Sequence, residues 1–421
     1  MSELHRQSIP LEYLTVGMFV VDLDVPWINS PFLTHSRKIK SFKDIDALRR
    51  SGVKNLVIDT DRGVASKLSH QYKEGVSRDD GSEESLAPNT AAPSKNVEQP
   101  AKSIEPRIPS VSVEMAAAQK VAAQVKRVAN SLLEALNANK AIDVKVVAPL
   151  VDDTLDSLCR NDQALMSLVH LSRKSQKLAD HAFSTFCIAL NMGLALKHSP
   201  ADLQTLGLAA LLHEAGWQQL PLNLMGKRTK YTTNEEQLIT KHVDIGLNML
   251  QTSNLPELAG RIIAEHHERD NGTGYPNGLK GADIHPLSQI LAIADSYDER
   301  IHQLQDKPGL LPRNALQGLY RETKKGAFDA RAMTAFVSMM GVYPVTSAVL
   351  LESGEKGVVT EHNQHAHTTR VKIIYDGSGK ALESPVEVFI SQTGEGRAIK
   401  SLLDPSDSRV DPFALLVCAD L

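Results

Sequence analysis

Histidines and acidic residues recur along the middle of this sequence at places where apolar residues are expected. Residues 206–212 are apolar on every face of a helix and run directly into His213 and Glu214. The stripe Leu238, His242, Ile245, Met249 turns His242 toward a core, and Leu255, Ala259, Ile262 and Ile263 lead into His266, His267 and Glu268. Asp295 and Asp298 share a helical face with Leu287, Leu291 and Ala294, while His181 falls in a stripe with Leu178, Ala182, Thr185 and Ala189. Carrying imidazole and carboxylate groups into an apolar interior is costly unless each is paired or bound to a metal. A single buried histidine is usually a hydrogen-bonded core residue. Four helices that each offer one, with a fifth offering aspartate, point instead to a shared nitrogen and oxygen metal site. No cysteine joins the set, which disfavours structural zinc and leaves iron, manganese or magnesium, and the ligand supply suits two ions. Two such ions about 3.5–4 Å apart would clamp the oxygens of a phosphodiester for in-line displacement, which is hydrolysis without a protein nucleophile.

The elements that must position these groups are marked by start and stop signals. Ser199 as N-cap, Pro200 at the first helical position and Asp202 open the helix that ends at His213. Thr233 with Glu236 is the expected cap of the helix carrying His242, and Ser41 with Asp44 caps a helix nearer the N-terminus. Residues 110–340 read as helical throughout. Residues 1–62 read as a small α+β domain with a strand at 18–23, a helix at 41–50 and a strand at 53–58, and residues 27–33 form a packed turn around Trp27. Residues 63–109 are rich in Ser, Pro, Asn, Glu and Lys and cannot bury enough surface to fold, so they are expected to be a disordered linker. Residues 341–421 are β-rich runs separated by SGEKG and DGSGK turns. The fold class is therefore mainly α, with a small α+β N-terminal domain and a small β-rich C-terminal module.

Several of these segments resemble a known family. LLHEAG (residues 211–216) resembles the HD signature of the HD phosphohydrolase superfamily, and HHERDNGTGYPNGLKG (266–281) resembles the HHE and GYP signature of HD-GYP proteins. KHVDIGLNML (241–250) and AIADSYDE (292–299) fit the flanking pieces, and VGMFVVDLDVPWINSPF (16–32) is similar to the uncharacterised domain that often precedes HD-GYP in bacteria. The resemblance implies an HD-type helical bundle and a cyclic di-GMP phosphodiesterase of bacterial second-messenger signalling, yielding pGpG or GMP. Carried over by position, it implies metal ligation by His181, His213, Glu214, His242, His266, His267 and Asp295. Catalysis falls to His213, Glu214 and Asp295, and substrate contact to Lys307, Tyr275 and Gly274. The candidate protein partners are a diguanylate cyclase domain or other signalling protein, and a second copy of the chain.

The sequence also departs from that family. Glu214 stands where the family has aspartate, Trp217 where a lysine follows the HD motif, and Leu304 where an arginine precedes the lysine matched by Lys307. Lys177 occupies the place of a carboxylate that helps some members hold a third metal. Two functions stay open on these grounds: a phosphodiesterase with a partly degenerate site, and a weak or inactive relative acting as a nucleotide receptor or interaction module. The histidines of HNQHAHTTR (362–370) are expected in a hairpin loop.

Composition narrows the alternatives. The 421 residues exceed what one core usually supports, and a net charge of -4 gives no general attraction to DNA or an anionic membrane. Cys159, Cys187 and Cys418 are scattered without a C-x-x-C spacing, which fits a reducing compartment. With no apolar signal core and no run of about 18 apolar residues, a cytoplasmic protein is expected.

Overall fold

The computed structural model describes residues 6–24, 37–39, 41–60, 62, 109–172, 175, 177–225, 227, 229–302, 309–363, 368–391, 397–404, 410 and 412. The expected turn at 27–33, residues 63–108 of the expected linker, Leu304, Lys307, His365 and His367 lie outside the described residues. The chain divides into two compact units, the second of which begins its continuous part at Pro109.

In the first unit, β1 (Arg6–Pro10), β2 (Phe19–Leu23), β3 (Arg37–Lys38) and β4 (Asn55–Asp59) form an antiparallel sheet in the order β1-β4-β2-β3, with α1 (Phe42–Arg50) between β3 and β4 in sequence. The helix starts at the expected capping box, in which the Ser41 amide donates to Asp44 Oδ2 at 3.0 Å. Ile9, Val20, Leu56 and Ile58 are buried. β1 and β3 are strands that the sequence pattern does not mark. Within β1 only Ile9 is buried and the strand ends at Pro10, the pattern of an edge strand with little hydrophobic signature.

The second unit is helical through α2 (Val111–Asn137), α3 (Ala148–Leu171), α4 (Leu178–Ala195), α5 (Pro200–Leu212), α6 (Leu222–Met225), α7 (Thr233–Ile239), α8 (His242–Leu250), α9 (Glu257–Glu265), α10 (Pro286–Ile301), α11 (Pro312–Thr323) and α12 (Ala330–Met340). A 3-10 turn, Ala215–Gln219, follows α5. One apolar cluster runs through the bundle, and α4 and α10 are its most enclosed members, buried on nearly every side between Ala182 and Gly193 and between Leu287 and Asp298. A helix buried all round has no solvated face for a charge, so any ionisable group on it needs a partner inside the protein.

Local sequence explains most boundaries. Ser199 and Asp202 form the expected capping box of α5, the Asp202 amide donating to Ser199 Oγ at 3.2 Å. For α7 the expected cap is corrected by one residue: Thr232, with Glu235, caps it in place of Thr233 with Glu236, and the Lys227 ammonium pairs with Glu235. Two adjacent threonines and two adjacent glutamates offer the same box in two registers, and Lys227 favours one of them. A single helix through Leu238 and His242 is corrected as well. The chain ends α7 at Ile239 and starts α8 at His242, which buries His242, Val243, Gly246 and Leu250 and leaves Leu238, Ile245 and Met249 half-buried.

The C-terminal strands β5 (Ala348–Leu351), β6 (Lys356–Asn363), β7 (Thr368–Tyr375), β8 (Ala381–Ser391) and β9 (Ile399–Leu403) pair antiparallel in the order β8-β7-β6-β5-β9. The SGEKG and DGSGK turns hold Gly354 at φ +87 and Gly379 at φ +85, left-handed positions that suit glycine. Val345, Ala348 and Val358 belong to the same apolar cluster as the helices. His170 on α3 completes the join, its Nδ1 donating to the Val345 carbonyl at 3.0 Å and its Nε2 lying 2.9 Å from the Tyr297 hydroxyl on α10.

Candidate metal centre

Three helices end at one place: α5 and α9 end on histidines that cap them, and the end of α7 is capped by His242, the first residue of α8. Nδ1 of His213 donates to the Ala210 carbonyl in the last turn of α5 at 2.9 Å, Nδ1 of His242 to Ile239 at the end of α7 at 2.6 Å, and Nδ1 of His266 to Ile263 in the last turn of α9 at 2.6 Å. Each bond satisfies an orphan carbonyl and fixes the proton on Nδ1, so the Nε2 lone pair of every ring faces inward. The negative ends of three helix dipoles converge on the same point, which favours a cation there.

The inward nitrogens lie close together. His242 Nε2 is 3.4 Å from His266 Nε2 and 3.3 Å from Glu214 Oε2, and His181 Nε2 is 3.2 Å from His213 Nε2 and 3.3 Å from Asp295 Oδ1. His213 Nε2 stands 3.6 Å from Asp295 Oδ1, and His267 Nδ1 stands 3.8 Å from Asp295 Oδ2. The donor atoms form two overlapping groups, Glu214, His242, His266 and His267 in one and His181, His213, Glu214 and Asp295 in the other, each within 4.8 Å. Glu214 belongs to both. Its side chain, one methylene longer than aspartate, therefore still delivers a carboxylate to the shared position.

Glu214 Oε2 and both carboxylate oxygens of Asp295 are buried without a hydrogen-bond partner among the described residues. Leaving a buried carboxylate oxygen unsatisfied costs roughly 1–3 kcal/mol or more, and imidazole lone pairs facing one another repel. A divalent cation removes both penalties, and imidazole nitrogen with carboxylate oxygen is a donor set for such ions. The residues present therefore fit a divalent metal.

The charge states of His266, His267 and Asp295 agree with ligation, whereas His181 without a cation is held toward its protonated form by two carboxylates. Burial first, then the neighbouring imidazoles of His267, His213 and His242, hold His266 well below the usual histidine range, so it is neutral with a free lone pair. Burial does the same to His267. Burial alone would raise Asp295, but the facing His181 and His213 outweigh it and keep the carboxylate well below its usual range. For His181 burial opposes the charge while Asp295 and Asp298 prevail and raise it.

Two further residues hold the donors in place. His181 has no helix carbonyl to cap, and its Nδ1 donates instead to Asp298 Oδ2 at 2.7 Å. Asp298 lies one turn after Asp295 on the fully buried face of α10, a spacing visible in the sequence although the partner on α4 is not. Asp298→Ala is expected to weaken metal binding about 10–100-fold, with Asp298→Asn retaining most of the affinity, measured by competition with a chelator. Lys177 is the exposed N-cap of α4 and belongs to neither donor group.

Glu268, the third residue of the HHE run, latches the loop that follows. Its carboxylate accepts the amides of Asn277 at 2.7 Å and Leu279 at 3.0 Å. Gly274 presses against the same segment, since a Cβ there would stand 2.4 Å from both the Arg269 amide nitrogen and the His267 carbonyl oxygen. The ring of Tyr275 is thereby laid on His267, with centroids 4.6 Å apart and planes at 30°. Burial, then Glu214, Glu299 and Asp295, raise the Tyr275 hydroxyl, which stays protonated as a donor at the edge of the centre. Glu268→Ala removes two charge-assisted bonds worth about 1.5–3 kcal/mol each. Hydrogen exchange at the Asn277 and Leu279 amides is expected to quicken by about tenfold or more, while exchange in α2 stays unchanged.

Comparison with known proteins accords with this geometry. The HD domain profile matches residues 145–332, and a domain of unknown function, DUF3391, matches residues 6–147. Cyclic di-GMP phosphodiesterase PA4108 of Pseudomonas aeruginosa is 31% identical over 396 residues, covering 92% of this chain and 90% of the relative. Shorter matches are to 3'3'-cGAMP-specific phosphodiesterase 2 of Vibrio cholerae, 36% identical over 27% of this chain and 22% of the relative, and to a cyclic di-GMP phosphodiesterase of Thermotoga maritima, 35% identical over 27% and 30%. No helix among the described residues is long and apolar enough to cross a membrane. A chain that keeps the HD and GYP segments around this centre, and matches such a relative along nearly its whole length, belongs to the HD-GYP family.

Proposed function

We propose that the chain is a phosphodiesterase that uses two divalent ions to hydrolyse cyclic di-GMP to pGpG or GMP in bacterial second-messenger signalling. The observation that carries this reading is the pair of overlapping donor groups joined by Glu214, with buried carboxylate oxygens that no donor among the described residues satisfies. His181, His213 and Asp295 would hold one ion, His242, His266 and His267 the other, and Glu214 both. The predominance of imidazole favours iron or manganese over magnesium, which prefers an oxygen shell. When bound, the ions supply the positive charge that activates water and neutralises the phosphoryl oxygens.

The protein's own part is preorganisation. His213, His242 and His266 are locked by their caps, so no reorientation is needed when charge develops on the phosphate. Burial around α5 and α10 excludes bulk water and strengthens every charge interaction at the centre. The Tyr275 hydroxyl supplies a neutral donor at the rim, and Gly274 holds the loop close enough for it to do so. This reading assigns turnover to residues 110–340, with 1–62 and 341–421 as modules and 63–109 as a linker.

Purified protein loaded with Mn²⁺ or Fe²⁺ and given cyclic di-GMP is expected to release pGpG or GMP, read by anion-exchange chromatography. Full metal loading with the dinucleotide left intact would sink the proposal. A second reading, a receptor that binds without turnover, is favoured by one observation, the uncharged Trp217 at the edge of the centre where the family carries a lysine. Saturable binding with no product would select it.

A further inference from the structure

The functional reading gives Trp217 no task, yet the fold holds it in a defined place. It lies in the 3-10 turn Ala215–Gln219, three residues after Glu214, and its amide donates to the Glu214 carbonyl at 3.1 Å. Gly216 sets the turn against α8 so closely that a Cβ would stand 2.0 Å from the His242 carbonyl oxygen and 2.6 Å from the Gly246 amide nitrogen. The indole is laid over the imidazole of His242, with centroids 5.6 Å apart and planes at 29°. It is half-buried, whereas His242 beneath it is fully enclosed. Tyr275 is likewise half-buried and set edge-on to the same imidazole, at 6.4 Å. Two aromatic side chains thus stand at the rim beside His242, with the donor atoms beneath.

An indole at this position cannot neutralise a phosphate. It offers a large π face, and stacking on such a face is the sequence-tolerant way proteins hold unpaired bases. In a nucleotide the base is joined to its phosphate through one ribose, so a phosphodiester lying over the donor atoms leaves its base at the rim. We propose that Trp217 is a substrate-binding residue, whose indole stacks on one nucleobase of a cyclic dinucleotide while the phosphodiester lies over the donor atoms beside Glu214. Stacking there supplies the substrate hold that a cation would otherwise supply through the phosphate. This proposal rests on the phosphodiesterase reading above.

The chain has two tryptophans, so a Trp27→Phe variant leaves Trp217 as the sole indole. Mixed with cyclic di-GMP in a stopped-flow instrument after metal loading, it is expected to lose fluorescence saturably before turnover. In the otherwise unaltered chain, Trp217→Ala is expected to raise KM about tenfold with kcat changed less than about threefold and metal content unchanged. Trp217→Phe, which keeps a ring, should stay within about threefold of the parent in both constants. Turnover with unchanged indole fluorescence and an unaltered KM in Trp217→Ala would overturn the proposal. So would a Trp217→Ala protein that loses metal and kcat at constant KM, because the indole would then be only a buttress for His242. If the parent chain itself neither binds nor hydrolyses the dinucleotide while metal is bound, the phosphodiesterase reading fails and takes this proposal with it.

Discussion

Asp295→Ala is expected to lower the rate of cyclic di-GMP hydrolysis by about a thousandfold or more and to strip metal from the protein. Oδ1 of Asp295 faces His181 at 3.3 Å and His213 at 3.6 Å, and Oδ2 faces His267 at 3.8 Å, so this carboxylate adjoins donors from α4, α5 and the end of α9. Without it, the group containing His181 and His213 keeps only Glu214 as an anion. One carboxylate shared between two divalent ions leaves most of their charge uncompensated in a buried site. The fold itself should survive, because the substitution removes two buried oxygens that lack hydrogen-bond partners among the described residues and leaves Asp298 paired with His181. Elemental analysis and circular dichroism on the same sample check both halves. Asp295→Asn, which keeps the shape and loses the charge, is expected to fail nearly as badly.

The second large effect is at Gly216. A methyl group there would penetrate the backbone of α8, 2.0 Å from one main-chain oxygen and 2.6 Å from one amide nitrogen, and neither can rotate away as a side chain could. Either the 3-10 turn or α8 must move, and His242 with Glu214 moves with it. Overpacking of this kind costs about 1–3 kcal/mol or more. Gly216→Ala is thus expected to lower the melting temperature by several degrees, about 2–4 °C per kcal/mol for a unit of this size. Activity should fall further than stability does, because the carboxylate shared by both donor groups is displaced. A melt by differential scanning calorimetry beside a metal assay separates the two losses.

Much of the centre could be read from the sequence because its members break a local rule. His213, His242, His266 and Asp295 are polar residues in apolar stripes, and burial of such residues is informative whatever their partners are. The caps of α1 and α5 were legible for a related reason, since a capping box is complete within four residues. At α7 the same logic met two overlapping boxes, and the deciding contact, Lys227 with Glu235, is not part of the pattern. The break between α7 and α8 carries neither glycine nor proline, so periodicity continues through it and places Ile245 and Met249 with the core, where the structure leaves both half-buried and only Met249 packed against the apolar cluster.

What stayed hidden depends on distant partners. Asp298 is visible as a buried acid, but its task is set by His181, 117 residues earlier in the chain. Glu268 appears in the HHE run, and its hold on the following loop becomes evident only when Asn277 and Leu279 fold back on it. The contact of Trp217 with His242 depends on a close approach that one glycine permits. The β-rich runs were legible from their turns, whereas the join through His170 links residues 175 apart and leaves no local trace.

The metal content of the purified protein is the most direct measure of this centre. Elemental analysis of the full chain, after saturation with Mn²⁺ or Fe²⁺ and removal of loosely held ions, is predicted to give close to two ions per chain, falling sharply in Asp295→Ala. A chain that holds no divalent ion, with the wild type and Asp295→Ala indistinguishable, would contradict it.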